Sequence, residues 1–151
     1  MAFMQIPRRV EYGLRAVIYL AGQEPNRCCS ITEIAQQQGV PKNFLEKIIQ
    51  DLMRGGLIRS KRGSCGGYTL ARPSEMISFR DVVEAIDGPI AVNACVEEHV
   101  DCDQLPRCSM VSVWREVQDR VTEIFGRTTI AALRQTPCSD IVGSSSLSSA
   151  A

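Results

Sequence analysis

The chain holds a single histidine, carries no net charge at neutral pH, and has neither a Gly-x-Ser-x-Gly elbow nor a glycine-rich phosphate loop. Nucleophilic and acid–base catalysis draw on such groups, so their scarcity argues against an enzyme. Long apolar runs are missing as well. Arg8, Arg9, Glu11 and Arg15 interrupt the first helical stretch, which rules out a secretory core or a membrane helix there. The expectation is a cytoplasmic protein with no membrane attachment. Seven cysteines are an odd number, and without an export signal they point to metal or redox chemistry, not to a disulfide framework. What is present is ordinary for one soluble domain: 151 residues, 44% hydrophobic and 23% charged.

The zero net charge conceals two segments of opposite sign. Residues 54–72 contain Arg54, Arg59, Lys61, Arg62 and Arg72 and no acid. Residues 84–106 contain Glu84, Asp87, Glu97, Glu98, Asp101 and Asp103 and no Lys or Arg. Local sign decides whether a surface attracts phosphate.

Pro7 followed by Val10, Leu14, Val17, Ile18 and Ala21, ending at Gly22, predicts a first helix. Cys28 and Cys29 fall in a short polar connection, where a structural or incidental role is expected. Ser30-Ile-Thr-Glu33 is a capping-box pattern that starts a short helix ending at Gly39. A further helix runs from Pro41 through Leu45, Ile48, Ile49 and Leu52 to Gly55-Gly56. Two short helices about a tight glycine turn predict a helix-turn-helix. Its second helix would enter the major groove by its N-terminal end, presenting Lys42, Asn43, Phe44, Glu46 and Lys47. Asn43 suits adenine, Glu46 suits cytosine N4, and the lysines suit phosphate or guanine.

A polar helix face alone is only a wet face; the following segment is what gives it meaning. Leu57–Ser60 and Tyr68–Ala71 predict two short strands, joined by the basic, glycine-rich turn Lys61-Arg62-Gly63-Ser64-Cys65-Gly66-Gly67. A hairpin after a helix-turn-helix is a wing. With Arg59, Lys61 and Arg62 it would lie along phosphates or reach into the minor groove. Cys65 at the tip is read as incidental.

Ser78-Phe-Arg-Asp81 predicts a capped helix closed by Gly88-Pro89. Beyond it, Cys95, Cys102 and Cys108 place three thiols within fourteen residues at intervals of seven and six. Thiolates are soft donors suited to zinc or iron–sulfur clusters, and Pro106 bends the loop that carries them. From about residue 109 to 134 an apolar stripe of Met110, Val113, Trp114, Val117, Val121, Ile124, Phe125, Thr128, Ala131 and Ala132 predicts one long helix. It has more apolar face than a small winged domain covers, so a homodimer on two-fold double-stranded DNA is expected, with a core helix packed within its own chain as the alternative. The fold class predicted is mainly α with a small β-hairpin wing: a winged helix-turn-helix plus a long dimerisation helix. The regulator domain spans about 1–136, with DNA-binding part about 7–73, cysteine loop about 93–108 and a flexible tail over 137–151.

Gly63-Ser-Cys-Gly66-Gly67-Tyr68-Thr-Leu70-Ala71, Val82-Val-Glu-Ala-Ile-Asp-Gly-Pro89 and Val113-Trp114-Arg115-Glu116 together resemble the bacterial winged-helix regulators of the IscR, NsrR and CymR type. The resemblance covers roughly Met4 to Leu133. It implies a promoter-binding homodimer, and, as in many members, an iron–sulfur cluster held by Cys95, Cys102 and Cys108. The first interval is one residue longer than in the IscR pattern, and Val111 stands where IscR has its histidine. NsrR-like and RsrR-like members take an acidic ligand from helix one of the partner subunit, and the matching residue is Glu11. A [2Fe-2S] cluster is expected in preference to a [4Fe-4S] one. CymR-like members, which lack the cysteines, sense through a partner enzyme. Two other readings of the loop stay open: a structural zinc site of Cys95, Cys102, Cys108 and His99, and a metal-free thiol switch, which the acidic neighbours disfavour.

Overall fold

The computed structural model describes residues 5–99 and 101–135. The predicted tail over 137–151 and Cys138 lie outside the described residues. Helix α1 (Arg8–Ala21) is the central strut of the domain. Val10, Ala16 and Val17 on it are fully buried. Gly13 lets it approach a later helix closely, since a Cβ there would lie 2.1 Å from Ile86 Cδ1. Helices α2 (Ile31–Gln38) and α3 (Lys42–Arg54) follow, turned about Gly39, whose φ of +62° is the left-handed conformation that glycine adopts without strain.

The capping box expected at α2 forms only by half. Ser30 Oγ accepts from the Glu33 amide at 3.1 Å, but the Glu33 carboxylate turns away to take hydrogen bonds from Tyr19 at 2.8 Å and Arg27 at 2.7 Å. Two donors, one of them cationic, outbid a single backbone amide. The box at α4 (Phe79–Asp87) is complete, with Ser78 and Asp81 exchanging bonds of 3.0 and 2.9 Å.

Strands β1 (Ile58–Lys61) and β2 (Gly67–Leu70) form the antiparallel wing, paired from Ile58 with Leu70 to Lys61 with Gly67. The ladder sits one residue nearer the tip than predicted. A third backbone pairing holds it to the body: Cys29 N–H donates to Tyr68 O at 2.9 Å and Tyr68 N–H to Cys29 O at 2.8 Å.

The long stripe predicted as one helix over 109–134 is two. Helix α5 (Val111–Arg127) stops, and α6 (Ile130–Gln135) begins after a break at Thr128-Thr129. The cause is tertiary. Thr128 O accepts from Phe79 N–H at 2.8 Å, Ile130 N–H donates to Ile77 O at 2.9 Å, and Thr129 pairs as an isolated bridge with Ser78. Those bonds need extended backbone, and two β-branched threonines in succession adopt it readily. Helix α6 then buries Ile130 fully in the core against α1. Among the described residues α5 has none fully buried: Val113 and Ile124 on it are 59% and 47% exposed, and Met110 just before it 62%. Phe125 stacks on Phe79 with ring centroids 4.6 Å apart, joining α5 to α4. Among the described residues no helix is long and apolar enough to cross a membrane.

Candidate nucleic-acid interface and cysteine loop

Leu45, Ile48, Ile49 and Leu52 bury one side of α3, each worth about 1.5–3 kcal/mol if fully removed from water. That packing fixes which side is left. Lys42, Asn43, Phe44, Glu46 and Lys47 all stand exposed, Phe44 at 57%. None of the charged ones enters an ion pair with a described residue.

Arg59, Lys61 and Arg62 on the wing are exposed and equally unpaired among the described residues. The wing glycines are steric necessities. A Cβ on Gly66 would lie 2.3 Å from Lys61 O, and one on Gly67, at φ +147°, would lie 2.5 Å from Cys29 O. Cys65 is exposed at the tip. Cys29, fully buried, is a structural residue under the wing, and burial pushes its thiol up from its ordinary value. Arg27 Nη1 reaches its Sγ at 3.3 Å. The Tyr19 hydroxyl and then Arg27 hold Glu33 below the usual carboxylate range. This Tyr19–Glu33–Arg27 knot, which ties α1 to α2 behind the wing, had no marker in the sequence beyond the Glu itself.

The cysteine loop is anchored by a residue that sequence reasoning missed. Gln118 on α5 accepts from Val92 N–H at 3.0 Å and donates to Ile90 O at 2.6 Å. Cys95 lies in a tight helical turn over Ala94–Val96, half-buried, its Sγ reached by Asn93 Nδ2 at 3.5 Å. Cys102 is exposed, and half-buried Cys108 follows a second such turn over Leu105–Arg107. His99, at φ +65°, shares an open pocket of 390 Å³ with Cys95, Arg115 and Asp119. The donor chemistry suits a soft metal centre. The conformation does not gather it: among the described residues no group of three or more His, Cys, Asp or Glu side chains could hold a metal ion. Glu11 is exposed on α1 and pairs with Arg15 one turn on.

A sequence profile described as Rrf2, iron-dependent transcriptional regulator, matches residues 6–136. The chain belongs to the Rrf2 family. Protein rrf2 of Nitratidesulfovibrio vulgaris is 34% identical over 130 residues, covering 86% of this chain and 87% of that one. Among solved structures, CymR, the global cysteine regulator of B. subtilis, superposes with a TM-score of 0.72 at 30% identity, covering 87% of this chain and 96% of that one. IscR of T. potens superposes with a TM-score of 0.69 at 28% identity, covering 86% and 85%. This Rrf2 chain is therefore a winged-helix transcription regulator of the IscR and CymR group, in a family of DNA-binding regulators.

Proposed function

We propose that this Rrf2 protein is a homodimeric, promoter-binding regulator whose DNA affinity is set by an iron–sulfur cluster on the 93–108 loop. The observation that carries the DNA half is the exposed N-terminal part of α3, where Lys42, Glu46 and Lys47 enter no ion pair with a described residue, beside a wing whose Arg59, Lys61 and Arg62 enter none either. Lys42, Asn43, Phe44, Glu46 and Lys47 would face the major groove, and Arg59, Lys61 and Arg62 the phosphates or minor groove. The uncovered apolar side of α5 supports pairing with a second copy.

The loop reading is supported by where the thiols sit. Cys29 is locked in the core, whereas Cys95, Cys102 and Cys108 are all at or near the surface of one loop clamped to α5. These three would hold the cluster, with Glu11 of the partner subunit as the fourth donor. A carboxylate is harder than sulfur, which makes such a site labile. When bound, a cluster of this kind responds to redox state, nitric oxide or iron supply, and a [2Fe-2S] centre is the form proposed. A competing reading, a structural zinc held by the same cysteines and His99, draws on the pocket that His99 shares with Cys95. Absorption and Mössbauer spectroscopy of protein purified without oxygen, with iron, sulfide and zinc assays, separates the two. Visible absorbance with iron and sulfide lost in Cys102→Ala supports the cluster; a colourless, zinc-loaded protein overturns it.

A further inference from the structure

Between the end of α1, the outer face of the wing and α6 lies an open pocket of 440 Å³. Three arginines line it, Arg59, Arg72 and Arg134, against one acidic residue, Glu24. Arg59 and Arg72 make no ion pair among the described residues. Arg134 gives one N–H to the Ala21 carbonyl at 2.8 Å, which fixes its guanidinium at the rim of the pocket and leaves its other donors. An excess of cationic residues around a concavity focuses a positive potential there.

Ser74 supplies the second, independent observation. At 7% exposure it is the buried polar side chain of the described core, and it lines this same pocket. Its hydroxyl makes no hydrogen bond to a described group, and among the described residues no side-chain oxygen is sealed away without a partner, so this hydroxyl keeps an opening to solvent on a residue that lines the pocket. A hydroxyl so placed is satisfied by an oxygen arriving from the solvent side.

We propose that this pocket binds a phosphate group, with Arg59, Arg72 and Arg134 as charged donors and Ser74 as the neutral one. Planar guanidiniums match phosphate oxygens in pairs. Three of them offer more N–H groups, from more directions, than the two oxygens of a carboxylate can accept. The phosphate has two possible sources. A smaller pocket that shares Asn26, Arg59 and Thr69 extends the concave surface to Lys61 on the wing, so a backbone phosphate of DNA lying along the wing is one source. A free phosphate ester is the other source.

The test uses the full chain, with inorganic phosphate titrated at constant ionic strength in chloride and followed by phosphorus NMR or calorimetry. Saturable binding is expected, weakened about tenfold by Arg72→Gln and by Ser74→Ala, because each removes a hydrogen bond to a charged group. Arg72 is exposed, so its variant keeps the wild-type melting curve and reports binding alone. Displacement of phosphate by a promoter duplex, with the salt slope of DNA binding reduced by about 0.9 in Arg72→Gln, assigns the site to the DNA backbone. Equal phosphate binding by free and DNA-bound protein assigns it to a free ester. No saturable binding, or binding unaltered in Arg72→Gln, overturns the proposal. The phosphate titration needs no DNA, so it stands or falls separately from the wing: a Lys61→Ala chain with wild-type DNA affinity would sink the wing reading and leave this one untouched.

Discussion

The Phe79 amide donates to the Thr128 carbonyl at 2.8 Å, and this one bond divides the labour of the C-terminal segment. Before it, α5 presents an apolar side that the described residues leave exposed; after it, α6 is spent on the core. Ile130→Ala should therefore lower monomer stability by about 2–5 kcal/mol, the cost of a large-to-small change at a fully buried site. Thr129→Ala should cost about 1 kcal/mol, since its hydroxyl caps Ala132 N–H at 3.2 Å. Val113→Ala, on the exposed side of α5, should stay within about 0.5 kcal/mol in urea unfolding at low protein concentration. Val113→Glu should instead dissociate the dimer in sedimentation; a dimer that persisted would remove this side of α5 from the interface.

Gly67→Ala should detach the wing. The added methyl would meet the Cys29 backbone at 2.5 Å and adopt φ +147°, a conflict that no side-chain rotation relieves. The expected signature is selective: faster hydrogen exchange at Tyr68 and Cys29, weaker DNA binding, and a modest loss in melting temperature while the helices persist. Exchange unchanged at those two amides would mean that the bridge does not hold the wing.

Acid should loosen the knot behind the wing. Tyr19 first and Arg27 second hold Glu33 below its ordinary value of 4.5. A depressed carboxylate contributes stability that is complete above that ordinary value and is lost as pH falls through the lower, folded one. Tyr19→Phe removes the larger cause and should move the acid limb of the stability profile to higher pH. Coincident acid limbs for the two proteins would show that the Tyr19 bond does not act on Glu33.

On DNA, wing and recognition helix should separate by salt. Lys61→Ala and Arg62→Ala should weaken binding to all sequences and flatten the salt dependence by about 0.9 per lost phosphate contact. Asn43→Ala and Glu46→Ala should cost about 1–3 kcal/mol of discrimination with little change in slope. Anisotropy titrations at several salt concentrations read both; a wing variant with wild-type slope would contradict the assignment.

Glu11→Ala should lose or alter the cluster signal, and with it the signal's effect on DNA affinity, whereas His99→Ala should leave both nearly intact. Loss of Glu11 also removes its surface pair with Arg15, a matter of only a few tenths of a kcal/mol, so the fold itself is spared. Spectra unchanged in Glu11→Ala and lost in His99→Ala would shift the fourth ligand to the histidine.

Much of this architecture was legible because its signals are local. The apolar spacing of Leu45, Ile48, Ile49 and Leu52, the turn at Gly39 and the glycines of the wing each describe geometry within a few residues. The break at Thr128 was not legible: the apolar period runs straight through it, and the extended backbone there is imposed by Ile77 and Phe79, about fifty residues away in sequence. Glu33 misled for a related reason, since its pattern promised a backbone cap and its carboxylate found stronger donors on α1 and in the connection. The loop thiols declared themselves as donors by type and crowding, but whether they are gathered depends on the loop's conformation, which Gln118 helps to set from another element.

That glutamine grips atoms common to nearly every amino acid, the amide of Val92 and the carbonyl of Ile90. Its hold is indifferent to the side chains it passes between. Substitutions along the strip, proline at Val92 excepted, leave the hinge of the loop in place. A lineage could thus exchange one set of sensing residues for another by drift within the loop while its attachment to α5 stayed constant. Gln118→Ala should reveal the dependence in reverse, freeing a loop whose own sequence is untouched.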